Sequence, residues 1–150
     1  MKHSPSYSEQ DELNLKVLIA LVRGVQSVRR QEMQTVREGK LTLAQFGVLE
    51  YLYHRGDARI KDIMERMLST GGNMTVVIEN LEKEGFISRY SDPHDKRARL
   101  ISLTHRGEAL MEDLFPRHVQ NISGIFSILQ EEEKKQLILF MKKLTGKAQE

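Results

Sequence analysis

Apolar positions recur at helical spacing over most of this chain and give way once, between Phe86 and Leu103, to two short strand-like runs. Leu13, Val17, Ala20, Leu21, Gly24, Val25 and Val28 keep close to three-four spacing and predict a long helix from near Asp11 to near Glu38, with Gly39 at its stop. Thr42 and Gln45 match a capping box, in which the two side chains satisfy orphan backbone amides reciprocally. A second helix is predicted from there, burying Phe46, Leu49 and Tyr53 and ending at Gly56-Asp57. Ile60, Ile63, Met64, Met67 and Leu68 make the apolar stripe of a third helix. Met74, Val77, Ile78 and Leu81 make that of a fourth, capped by Ser69 or Thr70 and closed by Glu84-Gly85. Phe86 to Tyr90 and Ala98 to Leu103 read as antiparallel strands, with Ser91 to Arg97 as the loop between them. Thr104 then caps a long helix to about Leu129, with a kink expected near Asp113 because Pro116 sits inside it. A last helix starts around Gln130, its Glu131, Glu132 and Glu133 matched to the positive end of the helix dipole.

This order predicts a mainly α chain with a small β-hairpin. The centre, roughly Thr42 to Leu103, can close a core of its own. The outer helices carry apolar stripes that a chain of 150 residues has too little domain to cover, which points to burial against a second copy. Composition contributes mainly exclusions. With no cysteine, disulfides, thiolate metal sites and thiol sensing are closed. His3, His54, His94, His105 and His118 show no pairing at ligand spacing, so no metal and no cofactor is expected. His105 and His118 read as surface groups that could at most meet each other in space, and Met64, Met67 and Met74 read as core. Apolar runs fall far short of membrane length and the N-terminus is polar, which makes the cytoplasm the expected compartment. There is no phosphate loop, nucleophile elbow or carboxylate pair, and no enzymatic activity is expected.

A formal charge of +2 says little about partners, but the segment from Arg89 to Arg106 carries a local net of +3. Before it, no charge falls between Ser69 and Ile78, as suits a helix whose first turns enter a DNA groove. Asn73 can pair with N6 and N7 of adenine, and Thr75 and Val76 can meet a thymine methyl. Glu79, Glu82 and Glu84 must then lie outside the groove. In the loop, Asp92-Pro93 opens a turn, and Asp95 stands two residues before Arg97, where it can orient the guanidinium. An arginine at a hairpin tip suits the negative potential of a narrow minor groove, while Lys96, Arg99 and Arg89 can hold phosphates. Together these features predict a winged helix-turn-helix DNA-binding core flanked by N- and C-terminal dimerisation helices.

On the same residues the chain resembles the MarR family of bacterial transcription regulators. Asp92-Pro93-His94-Asp95-Lys96-Arg97 is similar to that family's wing, Leu100 to Gly107 to its LTxxG helix start, and Asn80 to Ile87 to its recognition-helix exit. The resemblance implies a single domain over residues 1–150, with 1–38 and 105–150 as dimerisation helices and 42–103 as the winged lobe. It implies a homodimer on a pseudo-palindromic operator in double-stranded DNA. Thr70, Asn73, Thr75 and Val76 would be the readers, and Arg97, supported by Asp95, the wing arginine. Gly71 and Gly72 depart from the family's usual helix start. A repressor is expected over an activator, since covering a promoter asks less of a surface than recruitment. The family also implies a small aromatic or phenolic effector, in a pocket where the long helices meet the lobe. Phe46, Tyr51, His54 and Phe115 are its candidate walls. The alternative is a winged-helix protein-interaction module without specific DNA readout.

Overall fold

The computed structural model describes residues 6–67 and 73–146. Helix α1 (Glu9–Glu38) opens on Ser8, whose hydroxyl accepts the Asp11 amide at 3.1 Å. It stops at Gly39, yet the left-handed residue is Lys40, with φ 55°, while Gly39 stays right-handed. Gly39 also lets the helix packed across it come close: a Cβ there would lie 2.6 Å from Leu114 Cδ2, which would have to shift.

Helix α2 (Leu43–Arg55) starts on the capping box, with the Gln45 amide donating to Thr42 Oγ1 at 3.1 Å and the Thr42 amide to Gln45 Oε1 at 2.9 Å. It buries Phe46, Val48, Leu49 and Leu52, and Tyr53 is only half-buried. Strand β1 (Ala58–Arg59) leads straight into α3 (Ile60–Arg66). On α3 Ile63 is buried and Ile60 packs part-buried, but Met64 is 52% exposed and is not core. Leu68 lies outside the described residues. Helix α4 (Met74–Lys83) buries Met74, Ile78 and Leu81, with Val77 packed beside them.

The hairpin of β2 (Ile87–Asp92) and β3 (Asp95–Leu103) is longer than the sequence pattern predicts, and its turn is shorter. With β1 it forms an antiparallel sheet in the order β1-β3-β2, Ala58 opposite Ile101 and Ile87 opposite Leu103. Helix α5 (His105–Ile125) stops short of Leu129 and runs unbroken through Pro116; α6 (Glu131–Leu144) follows.

The core draws on every element from the end of α1 to the first half of α5, with Phe46, Leu49, Ile63, Ile78, Ile101, Met111 and Leu114 essentially sealed from solvent. Each such side chain contributes about 1.5–3 kcal/mol of burial. Met111 and Leu114 root α5 in the lobe, and its start is fixed by backbone contact. Thr104 Oγ1 accepts the Gly107 amide at 3.1 Å and donates to the Gly85 carbonyl at 2.5 Å, while the Thr104 amide reaches the Phe86 carbonyl at 3.1 Å. A Cβ on residue 107 would fall 2.1 Å from that Phe86 oxygen, so only glycine fits.

Outside the lobe the apolar surface is bare. Leu13, Val17, Leu18 and Val25 on α1 and Ile138, Phe140 and Leu144 on α6 are each more than half exposed, and α6 buries none of its residues. The last turns of α1 are held to α5 by polar contacts, Asn121 Nδ2 to the Gln31 carbonyl at 2.9 Å and Arg117 to Glu38 at 3.0 Å.

Replacing Gly107 with alanine must push Phe86 and α5 apart. The expected result is a loss of roughly 1–3 kcal/mol in urea unfolding, the usual range for overpacking a filled site; an unchanged midpoint would mean that this contact is not tight.

Candidate nucleic-acid interface

Helix α4 is capped by Asn73 rather than by Ser69 or Thr70: Asn73 Oδ1 accepts the Thr75 amide at 3.1 Å. All three residue types cap well. The cap fixes the orientation of the amide, since the atom facing an N–H must be the oxygen. One lone pair of Oδ1 is therefore occupied, and Nδ2 is the free hand for a base edge. Asn73, Thr75, Val76, Glu79 and Asn80 are exposed on the side of α4 away from the buried Met74, Ile78 and Leu81. Thr70, Gly71 and Gly72 lie outside the described residues. Among the later carboxylates, Glu82 is paired, with Arg89 Nε on β2 at 2.6 Å. Arg89 thus ties the sheet to α4.

The wing departs from the predicted loop. Its turn consists of Pro93 and His94, and the ladder shifts beyond it: Asp92 faces Asp95, whereas Ser91 faces Arg99. Lys96, Arg97 and Ala98 fall between these pairs as a bulge on β3, a device that bends a strand and re-aims side chains. Arg97 therefore projects from the bulge below the tip. Lys96, Arg97 and Arg99 are all exposed. Asp95 does not orient the Arg97 guanidinium; its Oδ1 accepts the Arg97 backbone amide at 3.1 Å.

Asp92 is 5% exposed, and a buried carboxylate has to be satisfied. Its Oδ1 accepts the His94 amide at 2.9 Å, and its Oδ2 takes Nε of Arg59 at 3.0 Å together with the Arg59 Nη2. Arg59 Nη1 also lies 3.8 Å from Asp95. The His94 amide, then Arg59, hold the Asp92 carboxyl below the ordinary carboxylate value, and Asp92 in turn raises the Arg59 guanidinium. Beside them the Tyr90 hydroxyl donates to Asp57, which raises the phenol. Sequence reasoning missed Asp57, Arg59 and Tyr90. An arginine at a helix start, where a capping residue is favoured, was the signal that could have found one of them.

The MarR family model matches residues 41–98. Two transcriptional regulators of Bacillus subtilis (strain 168) are each 34% identical to this chain: YkoM over 92% of the chain and 90% of its own length, and MhqR over 81% and 84%. The chain belongs to the MarR family. It is a DNA-binding transcriptional regulator and not an enzyme. Among solved structures, Sco3205 of Streptomyces coelicolor, a MarR family regulator in complex with DNA, superposes over 100% of this chain and 94% of its own with a TM-score of 0.81. At 19% identity that agreement shows the winged-helix fold. BpsR of Bordetella bronchiseptica, described with regulation of its DNA binding by 6-hydroxynicotinic acid, is 29% identical with a TM-score of 0.72, over 87% of this chain and 98% of its own.

In this MarR-family chain a cavity of about 440 Å³ opens where α1, α2 and α3 meet. Phe46, Tyr51 and His54 line it, with Arg29, Glu32 and Met67 among its other walls. Phe115 does not line it; it stands one layer back, its ring 4.5 Å from His54. His118 is buried, contrary to the surface position expected, with its ring 4.7 Å from Phe46 and no hydrogen-bond partner on Nδ1. It cannot meet His105, because both stand on α5, thirteen residues or about 20 Å apart. Among the described residues no group of three or more His, Asp or Glu is arranged to hold a metal ion.

The Asp92 shift predicts a pH dependence. Its folded-state value lies below the ordinary value of 3.8, so its stabilisation is complete above that value and is lost as pH falls through the folded value. Unfolding midpoints of wild type and Asp92→Asn should differ by a constant amount above about pH 5 and converge in more acid solution. A gap that stayed constant down to the acid limit would contradict the assignment.

Proposed function

We propose that the protein is a homodimeric repressor that reads a pseudo-palindromic operator, and that an aromatic or phenolic ligand releases it. The observation that carries the DNA reading is an uncharged, exposed first turn on α4 tied through Glu82 and Arg89 to a wing whose bulge presents Lys96 and Arg97. In this reading Thr70, Asn73, Thr75 and Val76 contact bases in the major groove, and Arg97 enters the minor groove from a bulge that Asp95 braces. Lys96, Arg99 and Arg89 hold phosphates. Arg89 also neutralises Glu82, a carboxylate that would otherwise repel the DNA backbone.

The bare apolar faces of α1 and α6 support the dimer. Residues 1–38 and 105–150 form its interface, and 42–103 the DNA-reading lobe. A repressor role agrees with YetL of Bacillus subtilis (strain 168), a transcriptional repressor 27% identical over 89% of this chain. The release by ligand is supported by the cavity against α1 and α2 and by BpsR, whose DNA binding is regulated by 6-hydroxynicotinic acid. A ligand there can shift α1 against the lobe and change the spacing of the two recognition helices.

Selection from a randomised duplex pool tests the reading. The expected product is an inverted repeat with half-sites about one helical turn apart. Titration of that complex with aromatic acids, phenols and quinones should then dissociate it with at least one compound. A pool that yields no motif would transfer the chain to the protein-interaction reading. A motif with a complex indifferent to every compound would remove the effector alone.

A further inference from the structure

We propose that Arg59 is a positioning residue for DNA readout: it locks the wing to the helix-turn-helix and thereby places Arg97. The inference rests on the reading of Arg97 as a DNA contact.

Arg59 occupies the N-cap of α3, where serine, threonine, asparagine or aspartate is favoured, and its side chain makes no capping bond. The local cost of that choice has a counterpart elsewhere. The guanidinium crosses to a carboxylate 33 residues further along the chain, placing Nε and Nη2 on Asp92 Oδ2 while Nη1 faces Asp95 Oδ2 at 3.8 Å. Each of these carboxylates uses its other oxygen on a backbone amide: Asp92 on His94, within the turn, and Asp95 on Arg97, within the bulge. One planar fork thus ties both ends of the Pro93-His94 turn to the residue that starts α3. The path to Arg97 is continuous: Arg59, Asp95, the Arg97 amide. The Tyr90 hydroxyl on Asp57 is a second strut between the same segments.

Removing the guanidinium has two consequences beyond lost stability. The buried Asp92 charge loses its cation and must find water, which loosens the turn. Asp92 and Asp95, no longer held by one cation, repel each other across the turn, and the Arg97 amide that Asp95 accepts loses its place. A lysine cannot replace the fork, because a point charge does not hold two nitrogens on one oxygen and a third toward a second carboxylate.

A double-mutant cycle on the full-length protein separates positioning from plain stability. Affinity for the selected duplex is read by fluorescence anisotropy in R59A, R97A and the double variant, with unfolding midpoints recorded in parallel. R97A should weaken binding roughly 10- to 100-fold, and R59A about tenfold. The double variant should bind within about twofold of R97A alone, because an arginine that is no longer placed has little left to lose. R59K should fall between wild type and R59A. Losses that multiply in the double variant, or an R59A protein with wild-type affinity, would overturn the assignment. An R97A protein with wild-type affinity would remove the wing reading and this inference together. Should R59A fail to fold, R59K takes its place in the cycle: it keeps the charge and deletes the fork that reaches Asp92 and Asp95 together, and the same two outcomes decide.

Discussion

The approach of the Phe86 carbonyl to Gly107, at a distance that leaves no room for a Cβ, fixes how the two halves of the molecule are joined. Three chain segments converge there. Helix α4 has ended at Lys83 just before Gly85, β2 is about to begin, and α5 starts from Thr104 at the end of β3. The Thr104 hydroxyl and amide bond to the carbonyls of Gly85 and Phe86, so the exit of the recognition helix and the start of the long C-terminal helix share one set of hydrogen bonds. Met111 and Leu114, buried about two and three turns later, keep α5 rooted in the same core. In the proposed dimer, the spacing of the two recognition helices follows from this junction, because α5 has little freedom to swing against α4.

From that junction outward, the molecule divides by what its surfaces lack. The lobe closes its core only with Val36 from the end of α1 and Met111 and Leu114 from α5, not alone as the sequence pattern suggests, while α1 and α6 leave Leu18, Val25, Ile138 and Phe140 in water. Burial is worth about 25 cal/mol per Å² of apolar surface, so an uncovered stripe along two helices is a strong drive to associate. The cavity lies next to that surface and shares Arg29 and Glu32 of α1. A ligand bound there touches the helix that the proposed dimer depends on and the α2 wall of the lobe, through Phe46, Tyr51 and His54. Behind them Phe115 and His118 continue the aromatic packing into α5. The walls of the cavity are thus continuous with α5 through packed rings.

What the sequence made legible follows from how local each signal is. The Thr42–Gln45 box, the α4 stripe and the Thr104 cap depend on residues within four positions of one another, and all three stand in the structure. Strand β1 has two residues and no room for a period, so no pattern could reveal it. Asp95 to Arg97 is all charged and reads as loop, yet its backbone is strand, held by pairing with β2 and by side chains that close the turn. The choice of Asn73 over Ser69 or Thr70 as cap is decided by geometry among residues of equal propensity. Met64 matched the stripe of α3 but sits on the flank that nothing covers. The Arg59–Asp92 lock spans 33 residues and joins a helix start to a hairpin turn, a relation that only the folded chain brings together.

The central claim is that a basic wing and an uncharged helix start read DNA together, and Arg97 is where it is most exposed to test. Anisotropy of wild type and Arg97→Glu on the selected duplex and on a scrambled one, across a salt series, measures it directly. The account predicts tight binding by wild type to the selected duplex with a steep salt slope, a far weaker complex with the scrambled one, and loss of the difference in Arg97→Glu. Equal and weak binding of wild type to both duplexes, unchanged by the substitution, would contradict it.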